Sequence, residues 1–286
     1  MALMFDLPAA DAIYHQQCNI NFRTGKSIPK SYQTVNCDKA ALRSPGRPEQ
    51  KEQKDAFEKM DGEFHNLVPY NVPVWAQHLQ NIPTCFVKLS NLNTPVHKWN
   101  IPGLPDDVQL FIKRDDLTGA ELSGNKVRAL QILFAEALEE GATHVVTGGG
   151  PQSGHCRAVS LICRSLGLKP HIVIDRVEKK EDLVAMGNIL LYRMAGSQIY
   201  VTPLESYTSL KRRIGRMQHF ISDAYKEKCY CIPSGGATGK AVYAFITLFE
   251  ELLQQGLHER FDDIVLTVGT GGTSLGVAVA NSLTGS

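Results

Sequence analysis

Residues 143–166 read THVVTGGGPQSGHCRAVSLICRSL, which places an apolar run, a glycine-rich turn and an amphipathic stretch in that order. The run at residues 144–147 predicts a short buried strand, and the pattern over residues 153–166 predicts a helix. A strand that leads into a helix through a short turn is the unit from which parallel sheets are built. This stretch therefore favours an α/β fold.

The same alternation continues on both sides of this stretch, from residue 81 to the C-terminus. In the first predicted helix, Val127, Leu130 and Phe134 recur on one face, and Gly141 ends the pattern. Short apolar strands that alternate with helices require right-handed crossovers, so we predict open parallel sheets covered on both faces. The predicted strands cover residues 108–113, 144–147, 171–174, 198–202, 230–233 and 264–268, and the predicted helices cover residues 125–140, 153–166, 183–195, 204–226 and 237–255.

Composition and charge exclude several function classes. The 286 residues include 30 Lys plus Arg and 29 Asp plus Glu, a formal charge of +1, so bulk attraction to nucleic acid or to an anionic membrane is not expected. No run approaches the roughly 18 apolar residues that span a bilayer, and residues 1–18 carry acidic side chains where a signal peptide is basic. The 7 scattered cysteines favour free thiols. We therefore expect a cytoplasmic protein.

Residues 1–80 differ from the rest of the chain in being polar and without a sustained period. They predict a poorly ordered extension with one short helix near residues 50–63. His15 and Cys18 have a spacing that zinc sites use, with Cys37 further on, but a second ligand pair is missing. We interpret these three as surface residues and expect no metal site.

A lysine follows the first predicted strand of the series, at the end of the segment KRDDLTGAELSGNK, residues 113–126. Lys126 falls in the first turn of a predicted helix, where the positive end of the helix dipole and partial burial disfavour an ammonium ion. A neutral amine of this kind is suited to a Schiff base. The alternative interpretation is a lysine that faces solvent.

The glycine-rich turn at residues 148–155 also follows a predicted strand, at the edge of a parallel sheet where ligands bind. Its glycines let the backbone approach a ligand, and Gln152, Ser153 and the amides of the helix start can bind a carboxylate. Ser153 and His155 are two residues apart, so they do not face each other on a helix as a nucleophile and its base. A helix N-cap is the alternative role for Ser153, and the two roles can coexist.

A second glycine-rich turn follows the strand at residues 264–268. It contains Gly269, Thr270, Gly271, Gly272 and Thr273 and leads into a helix start. Successive N–H groups, two hydroxyls and a helix N-terminus form a phosphate cradle, although a plain tight turn is the alternative. The pattern is neither a Walker loop nor a dinucleotide-binding fingerprint. An amine, a carboxylate loop and a phosphate cradle together fit pyridoxal phosphate.

The segments IKRDDLTGAELSGNKVRAL, TGGGPQSGHCRAV and IVLTVGTGGTSLG resemble the pyridoxal-phosphate enzymes of the tryptophan-synthase-beta-like fold, also called fold type II. More narrowly, they resemble the group that contains D-cysteine desulfhydrase and 1-aminocyclopropane-1-carboxylate deaminase. The resemblance runs from residue 81 to the C-terminus. It implies an α/β fold with two open parallel-sheet domains: a cofactor domain of residues 81–126 plus 235–286, and a smaller substrate domain of residues 127–234. It also implies a homodimer.

The resemblance assigns roles to residues of this chain. Lys126 becomes the Schiff-base lysine, with Asn125 before it and residues 269–273 around the cofactor phosphate. Gln152, Ser153 and His155 match the family's Gln-Ser-Asn-His segment, which binds substrate and in which the serine is the proposed nucleophile of the deaminase.

Two departures from the family pattern qualify this assignment. Gly154 stands where the family has an asparagine that bonds the 3-hydroxyl oxygen of the cofactor, so a donor to the ring is lost. The sequence also stops 13 residues after Thr273, whereas the family continues with active-site tyrosines and the group facing the pyridine nitrogen. We therefore expect a C-terminally truncated enzyme of reduced activity.

The resemblance implies a lyase that converts D-cysteine to pyruvate, ammonia and sulfide. The alternatives are 1-aminocyclopropane-1-carboxylate deaminase activity and a truncated paralogue that binds pyridoxal phosphate without catalysis. A nucleotide-binding module would leave Lys126, Gln152 and Ser153 unexplained.

Overall fold

The computed structural model describes residues 2–5, 67–119, 122, 124–175, 184–202 and 207–285. These residues form ten strands, seven α-helices and four short 3₁₀ turns. The predicted helix near residues 50–63, and the residues His15, Cys18 and Cys37, lie outside the described ranges. The strands are β1 (Ala2–Phe5), β2 (Leu67–Pro69), β3 (Cys85–Val87), β4 (Val96–Lys98), β5 (Leu110–Lys113), β6 (His144–Gly149), β7 (Lys169–Ile174), β8 (Gln198–Val201), β9 (Cys229–Cys231) and β10 (Asp263–Leu266). The helices are α1 (Lys126–Glu139), α2 (Gly154–Ser165), α3 (Gly187–Met194), α4 (Tyr207–Tyr225), α5 (Tyr243–Gln254), α6 (Leu257–Arg260) and α7 (Gly272–Thr284), and the 3₁₀ turns are Val74–Ala76, Asp115–Leu117, Ser234–Gly236 and Lys240–Val242.

One sheet is entirely parallel, with the strand order β8-β7-β6-β9. Every residue of β6 is buried, as expected for a central strand that is covered on both faces. Val145 and Val146 supply apolar side chains, and the polar His144 and Thr147 are buried with hydrogen-bond partners. The carboxyl ends of β6 and β9 are neighbours, so the loops that follow these two strands meet at one edge of the sheet.

The other four-stranded sheet has the order β10-β1-β5-β4 and is mixed. β1 pairs in parallel with β10 and β5, whereas β4 is antiparallel to β5. β4 reaches β5 through a loop without a crossover helix, and such a connection permits only antiparallel pairing. The expectation of purely parallel sheets is therefore wrong for this edge strand.

The predicted elements recur with small changes of boundary. All six predicted strands are present, and β6 extends two residues further than expected, to Gly149. The predicted helix over residues 237–255 is shorter than expected: α5 begins only at Tyr243, after the 3₁₀ turn Lys240–Val242. Thr238 Oγ1 accepts the Ala241 N–H at 3.1 Å, and this side-chain bond favours a turn over a regular helix.

Ordered structure begins earlier than residue 81. β1 and β2 both fall in the range predicted as an extension. Tyr70 Oη donates to the Tyr243 carbonyl at 2.8 Å, and Trp75 Nε1 donates to Glu250 at 2.6 Å. These contacts fix the segment around Tyr70 and Trp75 against α5, so the expectation of a poorly ordered extension is wrong for residues 2–5 and 67–80.

β6 to β9 fall within residues 127–234, the predicted substrate domain. β4, β5 and β10 fall within the predicted cofactor domain. The main hydrophobic core nevertheless continues across that boundary through Leu130 of α1, Val159 of α2 and Phe249 of α5. The described residues all belong to one compact unit. The division into two domains stays a prediction.

Within the described residues, five cysteines are free, in agreement with the expected thiols: Cys85, Cys156, Cys163, Cys229 and Cys231. None of the helices in the described ranges has the length and apolar character needed to cross a membrane.

Candidate active site

Lys126 is the first residue of α1 and is half-buried. The residue before it connects two of the predicted loops, because Asn125 Nδ2 donates to Thr273 Oγ1 at 3.0 Å. Residues 125 and 273 are far apart in sequence. The structure thus brings the lysine and the 269–273 loop together.

The loop before Lys126 is closed by hydrogen bonds at its base. The Asp115 carbonyl accepts the Gly124 N–H at 2.8 Å and the Thr118 hydroxyl at 2.9 Å. Ala120, Glu121 and Ser123 of this loop lie outside the described residues. Because Gly124 is two residues before Lys126, the closed loop fixes the point at which α1 begins.

The 269–273 loop ends in the first turn of α7, which begins at Gly272. Gly271 has φ of +88°, in the left-handed region that favours glycine. A Cβ at Gly269 or Gly271 would meet no atom within 4 Å, so space is open beside the loop. The N–H groups of a helix N-terminus, with the hydroxyls of Thr270 and Thr273, can donate to an anion there.

A fourth loop of the site was not predicted from sequence. The 3₁₀ turn Ser234–Gly236 follows β9, beside the loop that follows β6. A Cβ at Gly235 would lie 2.6 Å from Thr270 Oγ1, and a Cβ at Gly236 would lie 3.6 Å from His155 Cε1. The turn therefore contacts two predicted site segments. The rule that ligands bind where parallel strands end could have found it, because the segment PSGG directly follows a predicted strand.

Ser153 caps α2, as in the alternative interpretation of this residue. Its Oγ accepts the Cys156 N–H at 3.2 Å, and its carbonyl accepts the Tyr192 hydroxyl at 2.7 Å. The Ser153 hydroxyl also forms a side-chain hydrogen bond with the Cys156 thiol.

Gln152 has structural partners in the start of α3. Its Oε1 accepts the Asn188 N–H at 2.8 Å, and its Nε2 donates to the Met186 carbonyl at 3.3 Å. The role of Gln152 in binding a substrate carboxylate stays a prediction. The side chain joins the 148–155 loop to α3.

His155 is 5% exposed, and its Nε2 lies 3.0 Å from Thr147 Oγ1. Burial, followed by the positive charge of Lys126, lowers the pKa of His155 to about 3. The imidazole is therefore neutral at physiological pH. The ring of His155 lies near the Ser234–Gly236 turn and within the electrostatic influence of Lys126, and its role in substrate binding stays a prediction.

The geometry agrees with a comparison of the chain with known protein families. Residues 87–285 match the family described as pyridoxal-phosphate dependent enzyme. The chain belongs to this family. The predicted family, fold class and cofactor dependence are thereby confirmed.

Individual relatives of this chain carry two activities in their names. One, from Arabidopsis thaliana, is a bifunctional D-cysteine desulfhydrase/1-aminocyclopropane-1-carboxylate deaminase, mitochondrial, which is 38% identical over 77% of this chain and 57% of the relative. A D-cysteine desulfhydrase from Klebsiella pneumoniae is 32% identical over 70% of this chain and 62% of the relative. The crystal structure of an ACC deaminase homologue covers 74% of this chain and 62% of its own with a TM-score of 0.64 and 29% identity. The chain thus spans about three fifths of the length of the curated relatives it matches.

The described residues of this chain fit pyridoxal phosphate. The 269–273 loop offers hydroxyls, the amides of α7 and open space, which suit a phosphate. Lys126 offers an amine, and the bond from Asn125 to Thr273 links it to that loop. The phosphate would therefore be held by residues 269–273 and the aldehyde by Lys126.

Proposed function

We propose that this chain is a pyridoxal-phosphate-dependent lyase that acts on a small amino acid, with D-cysteine as the substrate. The observation that carries the proposal is the bond from Asn125 Nδ2 to Thr273 Oγ1, since it joins the amine that would hold the cofactor to the loop that would hold its phosphate. The reaction consumes D-cysteine and water and releases pyruvate, ammonia and hydrogen sulfide.

Pyridoxal phosphate, when bound, supplies an electron sink for negative charge at the substrate Cα. In the proposal, Lys126 Nζ accepts the proton from the Cα, and the C–S bond breaks as the β-thiol leaves. Ser153 and the first amides of α2 bind the substrate carboxylate at a helix N-terminus. His155 stays neutral beside Lys126 and so adds no positive charge to the site.

A second candidate activity is the opening of 1-aminocyclopropane-1-carboxylate, which is supported by the name of the Arabidopsis thaliana relative and by the ACC deaminase homologue of similar structure. This substrate has no Cα proton, so it requires attack on the ring or removal of a β-proton. Ser153 Oγ is the group of this chain that suits such an attack, because it is a hydroxyl at the start of α2, where the substrate carboxylate is proposed to bind.

The deciding experiment is the reduction of the purified protein with borohydride after incubation with pyridoxal phosphate, followed by peptide mass spectrometry. We expect the pyridoxyl group on Lys126 and its loss in Lys126→Ala. The control is Lys98→Ala, a change at an exposed lysine on β4 that should leave the modification of Lys126 unaltered. A wild-type protein that carries no pyridoxyl group on Lys126 would contradict the proposal.

Product analysis then separates the two activities. Sulfide released from D-cysteine supports the desulfhydrase, whereas 2-oxobutyrate formed from 1-aminocyclopropane-1-carboxylate supports the deaminase. A labelled Lys126 with neither product would instead indicate a paralogue that binds the cofactor without catalysis. Gly154 favours that outcome, because a glycine provides no side-chain donor to the cofactor ring.

We also propose a cytoplasmic location, a homodimer and the division into a cofactor domain (residues 81–126 plus 235–286) and a substrate domain (residues 127–234). Cell fractionation tests the location, which differs from that in the name of the Arabidopsis thaliana relative. Light scattering on the eluting protein tests the dimer. Hydrogen exchange with and without pyridoxal phosphate tests the division, since protection should be gained mainly in the cofactor domain.

A further inference from the structure

Four charged side chains are buried together beside the loop that precedes Lys126. Lys113, Asp115, Arg128 and Glu251 are each 5% exposed or less. Two are cationic and two are anionic, so the cluster is electrically balanced. We refer to it as the four-charge cluster.

Arg128 is the centre of the four-charge cluster. Its Nε and Nη2 donate to the two carboxylate oxygens of Asp115 at 2.8 and 2.9 Å. On its other side, Nη1 and Nη2 donate to the carboxylate of Glu251 at 2.7 and 3.1 Å. A planar guanidinium can bind two carboxylates in this forked way, and an ammonium cannot.

Lys113 and Thr94 supply further hydrogen bonds to the two carboxylates of the cluster. Lys113 Nζ donates to Glu251 at 2.9 Å, and Thr94 Oγ1 donates to Asp115 at 2.8 Å. Burial alone would raise the pKa of Glu251, but Arg128 and Lys113 lower it below its usual range. The carboxylate of Glu251 is therefore ionised.

A buried cluster of this kind is weak evidence for added stability, because desolvation offsets much of the attraction between buried charges. Its position offers another account. Arg128 is two residues after Lys126, and the main-chain carbonyl of Asp115 holds Gly124, two residues before Lys126. Asn125 is bonded to Thr273. Gly124, Asn125 and Arg128, which lie on either side of Lys126, are therefore each held by a hydrogen bond or an ion pair.

We propose that the Arg128–Asp115 pair is a positioning device for Lys126, which sets the direction of its amine toward the 269–273 loop. The pair does not touch the cofactor or the substrate. It acts through the start of α1. The side chain of Asp115 binds Arg128, two residues after Lys126, and the carbonyl of Asp115 binds Gly124, two residues before it. This inference rests on the proposed role of Lys126 as the amine that holds pyridoxal phosphate.

The test compares how strongly Lys126 is preferred over an exposed lysine in the reaction with pyridoxal phosphate. Borohydride fixes the new bond, and mass spectrometry gives the ratio of pyridoxyl group on Lys126 to that on Lys98 in the same sample. An unfolded chain would lose the preference for Lys126 and still react at the exposed Lys98, so circular dichroism first establishes that each variant is folded. In folded protein, a displaced Lys126 lowers the first signal and leaves the second unchanged.

Arg128→Lys keeps the charge and removes the fork, and we expect it to lower the ratio roughly tenfold, since a small displacement of a reacting group costs one to two orders of magnitude. Thr94→Val removes one hydrogen bond to Asp115 and keeps all four charges, so we expect a fall of about threefold. This milder variant decides the question if Arg128→Lys does not fold. The matched control is Phe249→Leu, which loosens the core on the same helix as Glu251 without touching the cluster.

Each outcome decides between the two proposals. If the wild-type protein does not favour Lys126 over Lys98, the proposed function fails and the inference fails with it. If the wild type favours Lys126 and the folded Arg128→Lys and Thr94→Val variants stay within twofold of it, only the positioning role is overturned. The same conclusion holds if Phe249→Leu lowers the ratio as far as the two variants do.

Discussion

Gly235 lies in the turn between β9 and α5 with φ of +73°, a region that residues with a Cβ rarely adopt. A Cβ there would also lie 2.6 Å from Thr270 Oγ1 and 2.7 Å from its Cγ2. Two independent restrictions therefore favour glycine at this position. The close approach holds Thr270 in place within the 269–273 loop.

We predict that Gly235→Ala weakens the binding of pyridoxal phosphate at least tenfold and lowers the free energy of unfolding by about 1–3 kcal/mol. The added methyl group must displace Thr270, which alters the loop that would hold the phosphate. Fluorescence titration with pyridoxal phosphate and urea unfolding measure the two effects. Gly239→Ala is the control, since Gly239 has φ of −57° and a Cβ there meets nothing within 4 Å.

Ser153 combines a capping role with a proposed substrate contact, and two substitutions separate them. Ser153→Ala should lower the free energy of unfolding by about 1 kcal/mol, because the Cys156 N–H loses its acceptor. Ser153→Asn keeps a capping oxygen and should restore that stability without restoring turnover. Urea unfolding and product formation from D-cysteine are the measurements. Full activity in Ser153→Ala would remove this residue from the reaction.

The candidate site residues were easier to predict from sequence than their contacts. The predicted position of Lys126 at a helix start agrees with the structure, whereas its role as the amine that holds the cofactor stays a prediction. The partners of Gln152 were not predictable, since Met186 and Asn188 approach it only through the packing of α3. The burial of His155 likewise depends on the Ser234–Gly236 turn, which is distant in sequence.

The elements of the all-parallel sheet carry a polar chain near their amino-terminal ends, away from the site. His144 Nδ1 lies 2.7 Å from His171 Nε2, and both side chains are fully buried. His144 Nε2 lies 3.0 Å from Glu227, and His171 Nδ1 lies 3.0 Å from Tyr200 Oη. Two neutral imidazoles can share this chain of hydrogen bonds, whereas added protons would place positive charge in the interior.

This polar chain predicts a loss of stability in mild acid. Burial, followed by the charges of His144 and Lys169, lowers the pKa of His171 to about 4. Above the unfolded value of about 6.5 both states are neutral, and below it the unfolded state binds a proton that the folded state does not. The free energy of unfolding should therefore fall between pH 6.5 and pH 4, by about 2 kcal/mol at pH 5 from His171 alone.

Urea unfolding at several pH values measures this effect. His171→Gln should reduce the slope of stability against pH, whereas His78→Gln, a change at an exposed histidine, should leave it as in the wild type. An unchanged slope in His171→Gln would show that other groups cause the acid sensitivity.

Among the strands and helices, the longer and more buried ones are easier to predict from sequence. β6 and α2 were recognisable because a continuous apolar run and an amphipathic helix are strong local signals. β2, β3 and β4 each have three residues, too few for a periodic pattern. Their pairing depends on partners supplied by the tertiary structure, so no local pattern predicts them.

Across the whole molecule, the mixed sheet joins segments that are far apart in the chain. β1 lies between β10 and β5, with Ala2 in register with Asp263 and Leu110. It was not predicted, since four residues in a polar segment carry no strand signal of their own. As an inner strand it uses its main-chain groups on both sides.

We predict that Met4→Pro destabilises the protein by about 2 kcal/mol, because proline removes a main-chain donor from an inner strand. The control is Met4→Val, which keeps the N–H group in a residue that favours strands. Urea unfolding gives the stability, and hydrogen exchange should report faster exchange in β10, the neighbour of β1. Equal stability of the two variants would argue against β1 as an inner strand.

The placement of β1 also has a consequence for biosynthesis. The ribosome makes this strand before the others of its sheet, yet its partner β10 emerges only after residue 263 has been added. Contacts between distant parts of a chain are slow to form, so the all-parallel sheet can assemble during translation while the mixed sheet waits for β10. Until β1 pairs with β5, the edge of β5 that β1 covers can pair with other chains. A nascent chain that stalls before β10 would therefore be a substrate for chaperones.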